Sequence, residues 1–98
     1  MDQKLLILVT YHAKPSRGRE FLREIEKHGL RETILKEDGC LRYDYFLSAD
    51  DPEAILLVEK WESEEKQLLH LQTPHMAQFR ADIKEIYVKE TTVEKISL

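Results

Sequence analysis

Two extended stretches of this chain are apolar on both of their alternating faces, and few folds accommodate that in 98 residues. Lys4 to Lys14 carries Leu5, Leu6, Ile7, Leu8 and Val9 in succession. In Ala54 to Glu62 one face holds Ile55, Leu57, Glu59 and Trp61, and the other holds Leu56, Val58 and Lys60. An antiparallel sheet with one wet face alternates apolar and polar residues. Both faces of these strands therefore need cover, and a chain this short has helices for one face only. The economical second cover is another copy of the same sheet related by two-fold symmetry, so the pattern predicts a homodimer. The alternative is a sheet curled enough to bury both faces within one subunit.

The remaining segments fit that frame. Pro15-Ser16 ends the first strand, and Ser16 is a fair N-cap for a helix reaching about Lys36. Phe21, Leu22 and Ile25 share one face of it, whereas Leu30 and Ile34 fall off that face. The second half is thus either buried on two sides or bent near Gly29. Gly39 suits a left-handed turn after the helix. Cys40 to Ser48 reads as a second strand and Ala54 to Glu62 as a third, joined through the turn chemistry of Ala49-Asp50-Asp51-Pro52-Glu53. Ser63 caps a helix from Glu64 to about Leu71, Thr73-Pro74 opens another, and Ile86 to Ile96 closes the chain as a fourth strand. The order β-α-β-β-α-α-β is the α+β, ferredoxin-like pattern, with all helices on one face of an antiparallel sheet. Residues 1–98 are read as a single domain.

Composition removes several classes of function. No apolar run approaches the ~20 residues of a membrane span, and no basic segment followed by an apolar one suggests a leader. A net charge of −4 with no basic stripe argues against nucleic acid. The lone Cys40 has no partner in the chain for a disulfide, which fits a cytoplasmic location. G-x-S-x-G, Walker and G-x-G-x-x-G motifs are absent, so nucleophilic hydrolysis and dinucleotide binding lack support.

Candidate chemical groups are few. Glu59 shares a strand face with Leu57 and Trp61, so its carboxylate is either desolvated or held by a partner. It reads as a general acid/base or as a structural carboxylate. Trp61 reads as a wall for a flat ligand or as core. His70 and His75 would diverge by about 140° on one continuous helix, but Pro74 interrupts it and can bring them together. His75 lies in a first helical turn, where the backbone dipole favours a neutral, proton-accepting imidazole. The spacing matches no zinc motif, so metal binding is not expected. Tyr11, Tyr43 and Tyr45 read as packing residues whose phenols could also hydrogen-bond a quinone-like oxygen. His12 and His28 are less informative, and Cys40 reads as a small buried residue.

Two blocks carry a family resemblance. Glu37-Asp38-Gly39-Cys40-Leu41-Arg42-Tyr43 resembles the E-x-G-C-x-x-Y segment of antibiotic biosynthesis monooxygenase domains. Glu59-Lys60-Trp61-Glu62-Ser63 with His70-Leu71-Gln72-Thr73-Pro74-His75-Met76 is similar to the small quinol monooxygenases and to the enzyme that processes phosphorylated autoinducer-2. The resemblance implies a dimeric α+β barrel with a pocket between sheet and helices. It further implies oxidation of a phenol or quinol by molecular oxygen without cofactor. His75, His70 and Glu59 would be catalytic, with Trp61, Tyr45 and Tyr11 binding substrate. The haem-degrading branch is disfavoured, because the first strand has no asparagine and Arg80 stands where an iron-binding histidine is expected. Two other readings compete: an isomerase of a small sugar-derived phosphate, with Arg42 or Arg80 in a cationic cradle, and a non-catalytic ligand-binding dimer.

Overall fold

A computed structural model describes residues 3–98; the first two residues of the expected 1–98 domain lie outside the described residues. Four strands form one antiparallel sheet: β1 (Leu5–Ala13), β2 (Cys40–Leu47), β3 (Ala54–Trp61) and β4 (Val88–Ser97), in the spatial order β2-β3-β1-β4. The doubly apolar strands β1 and β3 are the central pair, where each has a hydrogen-bonded neighbour on both sides. Four helices, α1 (Gly18–Lys27), α2 (Leu30–Leu35), α3 (Glu64–Leu71) and α4 (Pro74–Phe79), contribute the rest of the core. The expected ferredoxin-like α+β architecture is therefore present.

Leu5, Ile7, Val9, Tyr11 and Ala13 of β1 are buried, and Ile55, Leu57, Glu59 and Trp61 of β3 lie beside them. Phe21 and Ile25 of α1, Leu30 and Ile34 of α2, Met76 and Phe79 of α4, and Tyr43, Ile83 and Val88 complete the core. Tyr11 meets Phe21 and Phe79 edge-on, at centroid separations of 5.1 and 6.0 Å. The opposite sheet face carries Leu6, Leu8 and Leu56, all half-buried, and Phe46, which is 45% exposed.

Several local expectations need correction. The stretch from Ser16 to Lys36 is two helices, because Gly29 takes a left-handed conformation (φ 62°) and turns the chain between α1 and α2. That bend brings Leu30 and Ile34 into the core although they lie off the α1 apolar face. Ser16 is not the N-cap: the cap position is Arg17, with no side-chain bond, and Ser16 itself has φ 64°. Ile86 is not in a strand. The helix continues past Phe79 through a π turn (Arg80–Lys84) and one more turn (Glu85–Tyr87), and β4 begins at Val88. The expected caps of the later helices are both present, Ser63 accepting from Lys66 N–H and Thr73 from Met76 N–H.

The turn between α2 and β2 is tightly held. Arg31 of α2 donates from Nε to the Tyr43 carbonyl (2.7 Å) and from a terminal nitrogen to Asp44 (2.7 Å). Asp38 pairs with Lys66 of α3. Gly39, as expected, is left-handed (φ 90°), and a Cβ there would lie 2.6 Å from the Lys66 side chain. Gly39→Ala should therefore lose about 1–3 kcal/mol from backbone strain and crowding. Thermal denaturation checks this, and an unchanged melting temperature would contradict it.

Candidate active site

Inner-face residues pair across the sheet in rows. Tyr43, Glu59, Ile7 and Lys95 make one row, and Tyr45, Leu57, Val9 and Val93 the next. Between these rows and the helices lies a cavity of about 330 Å³. Ile7, Val9, Tyr11, Tyr43 and Glu59 line it from the sheet; Gln67, His70, Met76 and Phe79 line it from the helices. All nine are buried.

Glu59 is the polar group in the sheet wall of this apolar space. Its Oε1 accepts from the Trp61 indole N–H at 2.9 Å. Burial pushes its carboxyl up to about 7, although the indole bond and the positive charge of Lys95 oppose that. The group thus changes protonation near neutrality, as general acid/base work requires.

His70 is 1% exposed and reaches the cavity from α3. Its Nδ1 is 2.8 Å from Glu37 Oε2. With the Nδ1 proton donated to that carboxylate, Nε2 is the nitrogen left to accept a proton. Burial lowers the affinity of His70 for a second proton, against the pull of Glu37. The ring is packed between aromatics, with Trp61 at 4.7 Å and Tyr43 at 5.7 Å between centroids.

Glu37 also binds His75, whose Nε2 is 2.7 Å from the same Oε2. The break at Pro74 does bring the two histidines together, both on Oε2 of Glu37. His75 does not border the cavity. It lines a separate depression of about 70 Å³ with His28, Thr33 and Asp82. The donor atoms of Glu37, His70 and His75 all lie within 4.8 Å of one another. Two of these contacts are hydrogen-bond lengths, shorter than the spacing of about 3.3 Å between donors around a tetrahedral zinc ion. The triad is closed on itself by hydrogen bonds.

The other expected site residues are dispersed. Tyr11 lines the cavity. Trp61 is fully buried behind it, bracing His70 and Glu59 rather than facing a ligand. Tyr45 meets Tyr43 edge-on at 5.8 Å, and its buried hydroxyl has no hydrogen-bond partner among the described residues. Desolvation holds the Tyr11, Tyr43 and Tyr45 phenols well above their ordinary range, so they serve as neutral groups. Arg42 pairs with Asp44 and lies over Phe46, away from the cavity, whereas Arg80 borders it. Cys40 is half-buried, and burial raises its thiol to about 11, leaving it unreactive. His12 stands half-buried on the opposite sheet face.

Sequence reasoning did not single out Glu37 as a site residue, nor Gln67, Lys84 or Lys95. Only Glu37 left a trace, as the first letter of the E-x-G-C-x-x-Y block.

A four-stranded sheet roofed by helices, with an internal cavity lined by Glu59 and His70, defines a small α+β protein of the ferredoxin-like class. The sequence model of the antibiotic biosynthesis monooxygenase family matches residues 5–82, and the chain belongs to that family. It is 30% identical over 83 residues to a Bacillus subtilis (strain 168) protein named "Putative monooxygenase YcnE", covering 84% of this chain and 85% of that one. Over 60 residues it is 35% identical to "Probable quinol monooxygenase YgiN" of Escherichia coli (strain K12), covering 53% of this chain and 58% of that one. Among solved structures, protein SO0527 of Shewanella oneidensis superposes with a TM-score of 0.88 at 18% identity, covering 100% of this chain and 93% of that one. A "Putative antibiotic biosynthesis monooxygenase" of Nitrosomonas europaea gives 0.81 at 22%, covering 100% and 90%. At those identities the two structures establish the fold.

The raised carboxyl of Glu59 has a consequence for stability. Folded Glu59 holds its proton more tightly than the unfolded chain does, with values of about 7 and 4.5. Its contribution is complete below pH 4.5 and is lost as pH rises through 7. That difference is worth up to about 3 kcal/mol. Glu59→Gln should melt above the native protein at pH 8.5, with the gap closing by pH 4.5. A gap independent of pH would show that Glu59 is not the group responsible.

Proposed function

We propose that this protein is a cofactor-independent monooxygenase that oxidises a small phenol or quinol with molecular oxygen. The observation that carries the reading is the cavity itself. It is walled by apolar and aromatic side chains and contains a histidine fixed by a carboxylate on its far side. A quinol is also the substrate class in the name of the Escherichia coli relative.

In this reading a substrate hydroxyl meets His70 Nε2. Proton transfer to His70 gives a phenolate, and Glu37 stabilises the imidazolium through Nδ1–H. The phenolate passes one electron to oxygen, the resulting radical pair joins at a ring carbon, and a C–O bond forms. The O–O bond then breaks. The C–H bond at that ring carbon breaks with it, so one oxygen stays on the ring as a quinone carbonyl, and the other leaves as water with that proton and the hydroxyl proton taken up by His70. The four electrons that reduce oxygen all come from the substrate. Glu59, protonated for part of the time at neutral pH, supplies a proton or hydrogen bond to the developing oxygen charge. Apolar walls keep water from the intermediates. His75 lies beyond Glu37 and links the relay to the outer depression.

The assembly in this reading is a homodimer packed sheet to sheet. Leu6, Leu8, Leu56 and Phe46 form the uncovered apolar face that such packing would bury.

Oxygen uptake by metal-free, flavin-free protein, offered a panel of hydroquinones, tests the chemistry. His70→Gln should lower the rate by ~10²–10⁴-fold, the span of a lost general base, with Glu37→Gln intermediate. Uptake that needs an added metal, or that is indifferent to His70→Gln, would refute the mechanism. For the assembly, Leu8→Glu should convert a dimer to a monomer in light scattering after gel filtration. A native monomer at all concentrations would sink the sheet-to-sheet dimer.

A further inference from the structure

The walls and the rim of the cavity differ in charge. Its buried lining holds Glu59 as the one acidic residue, whereas the accessible part of the lining is formed by Leu71, Arg80, Lys84, Thr91, Val93 and Lys95. Three of those six are cations and none is an anion, on a chain with 19 acidic and 15 basic residues. Chance placement on a net-negative surface would favour the reverse.

The three cations come from two elements that face each other across the opening. Arg80 and Lys84 begin and end the π turn after α4. Such turns widen a helix locally and recur at functional sites. Arg80 donates to the Leu71 carbonyl at 3.2 Å, which holds its guanidinium at the rim. Lys95 stands on β4 in the same cross-strand row as Glu59, with Ile7 between them. Its Nζ donates to Oε1 of the buried Gln67 at 3.1 Å, so the ammonium turns in toward the cavity wall, with Glu64 3.8 Å away. Both fields reach inside: the charge of Lys95 acts on Glu59 and that of Arg80 on His70. Two strand spacings separate the Lys95 backbone from that of Glu59, about 10 Å.

We propose that Arg80, Lys84 and Lys95 form an anion subsite, and that the substrate is a hydroxylated aromatic acid whose carboxylate sits at this rim. Its hydroxyl points inward, to His70 and Glu59. The inference rests on the phenol-oxidation reading for the inner end of the ligand and adds the outer end. It also separates the cavity from one built for a neutral quinol, which would leave Arg80 and Lys84 without an anionic partner among the described residues.

The chain has one tryptophan, Trp61, packed from behind on the cavity-lining His70, so its fluorescence reports occupancy through that contact. Binding of 2,5-dihydroxybenzoate should be about tenfold tighter than that of its methyl ester at low salt, with the gap shrinking as salt screens the rim. Lys84→Gln/Lys95→Gln, which leaves Arg80 alone, should sharply reduce the preference, and Lys84→Arg/Lys95→Arg should keep it. Equal binding of acid and ester, failure of both to bind, or a preference undiminished in the double glutamine variant would overturn the subsite. Ribose 5-phosphate binding more tightly than the acid would assign the same cations to a phosphoryl group and overturn the aromatic-acid assignment. Oxygen uptake with the ester as fast as with the acid, and equal binding, would remove the subsite alone and leave the oxidative reading standing. Preferred binding of the acid with no oxygen uptake by any hydroquinone would do the opposite.

Discussion

One carboxylate oxygen, Oε2 of Glu37, is shared by two imidazoles, and the geometry of the site depends on it. His70 lies at 2.8 Å on α3 and His75 at 2.7 Å just inside α4. Glu37 itself follows α2, so the contact ties three elements at one point. It also sets the tautomer of His70, because a proton on Nδ1 facing a carboxylate leaves Nε2 as the basic nitrogen. Removing Glu37 would leave a buried imidazole donor with no acceptor, which is costly as well as disordering. The surrounding contacts act to keep Glu37 in place. Arg31 fastens α2 to β2, Lys66 holds Asp38, and Gly39 turns the chain immediately after.

Glu59 presents the complementary case, a carboxylate held by one indole bond in an otherwise apolar sheet wall. Trp61 serves both polar groups at once: its N–H binds Glu59 and its ring packs against His70. A residue of ambiguous promise in the sequence thus works from behind the site. The two acid/base groups are left with opposite tendencies. Burial raises the Glu59 carboxyl to about 7 and lowers the affinity of His70 for a second proton.

Much of the fold could be read from periodicity. Side-chain alternation in residues 5–9 and 55–61 marks them as strands, and the sheet places those two strands at its centre. Ser63 and Thr73-Pro74 mark helix starts through short-range side-chain chemistry, which sequence states directly. Elsewhere tertiary contacts overrode local preference. Ser16 has the chemistry of a cap but takes a left-handed conformation instead, with its N–H bonded to the Glu53 side chain at 2.8 Å. Ile86 looks like the start of a strand, yet the π turn carries the helix through Tyr87, and the buried Ile83 shows the inward face continuing that far.

By itself the sequence determined the order of the four strands, the ferredoxin-like class and the family resemblance, and it singled out Glu59, His70 and His75 as candidate proton-transfer groups. Those follow from side-chain alternation, capping and residue chemistry, all of which act over a few positions. Tertiary structure alone decided which of them meet. His70 and Glu37 are 33 positions apart, and His75 and Glu37 are 38. Their convergence depends on how far the chain bends at Gly29 and Pro74 and on which face of each helix the core admits. The same packing put His70 at the cavity and His75 outside it, Trp61 behind the wall, and Arg80, Lys84 and Lys95 around one opening. No local pattern encodes such a gathering, because it is set by the sum of contacts between elements distant in the chain.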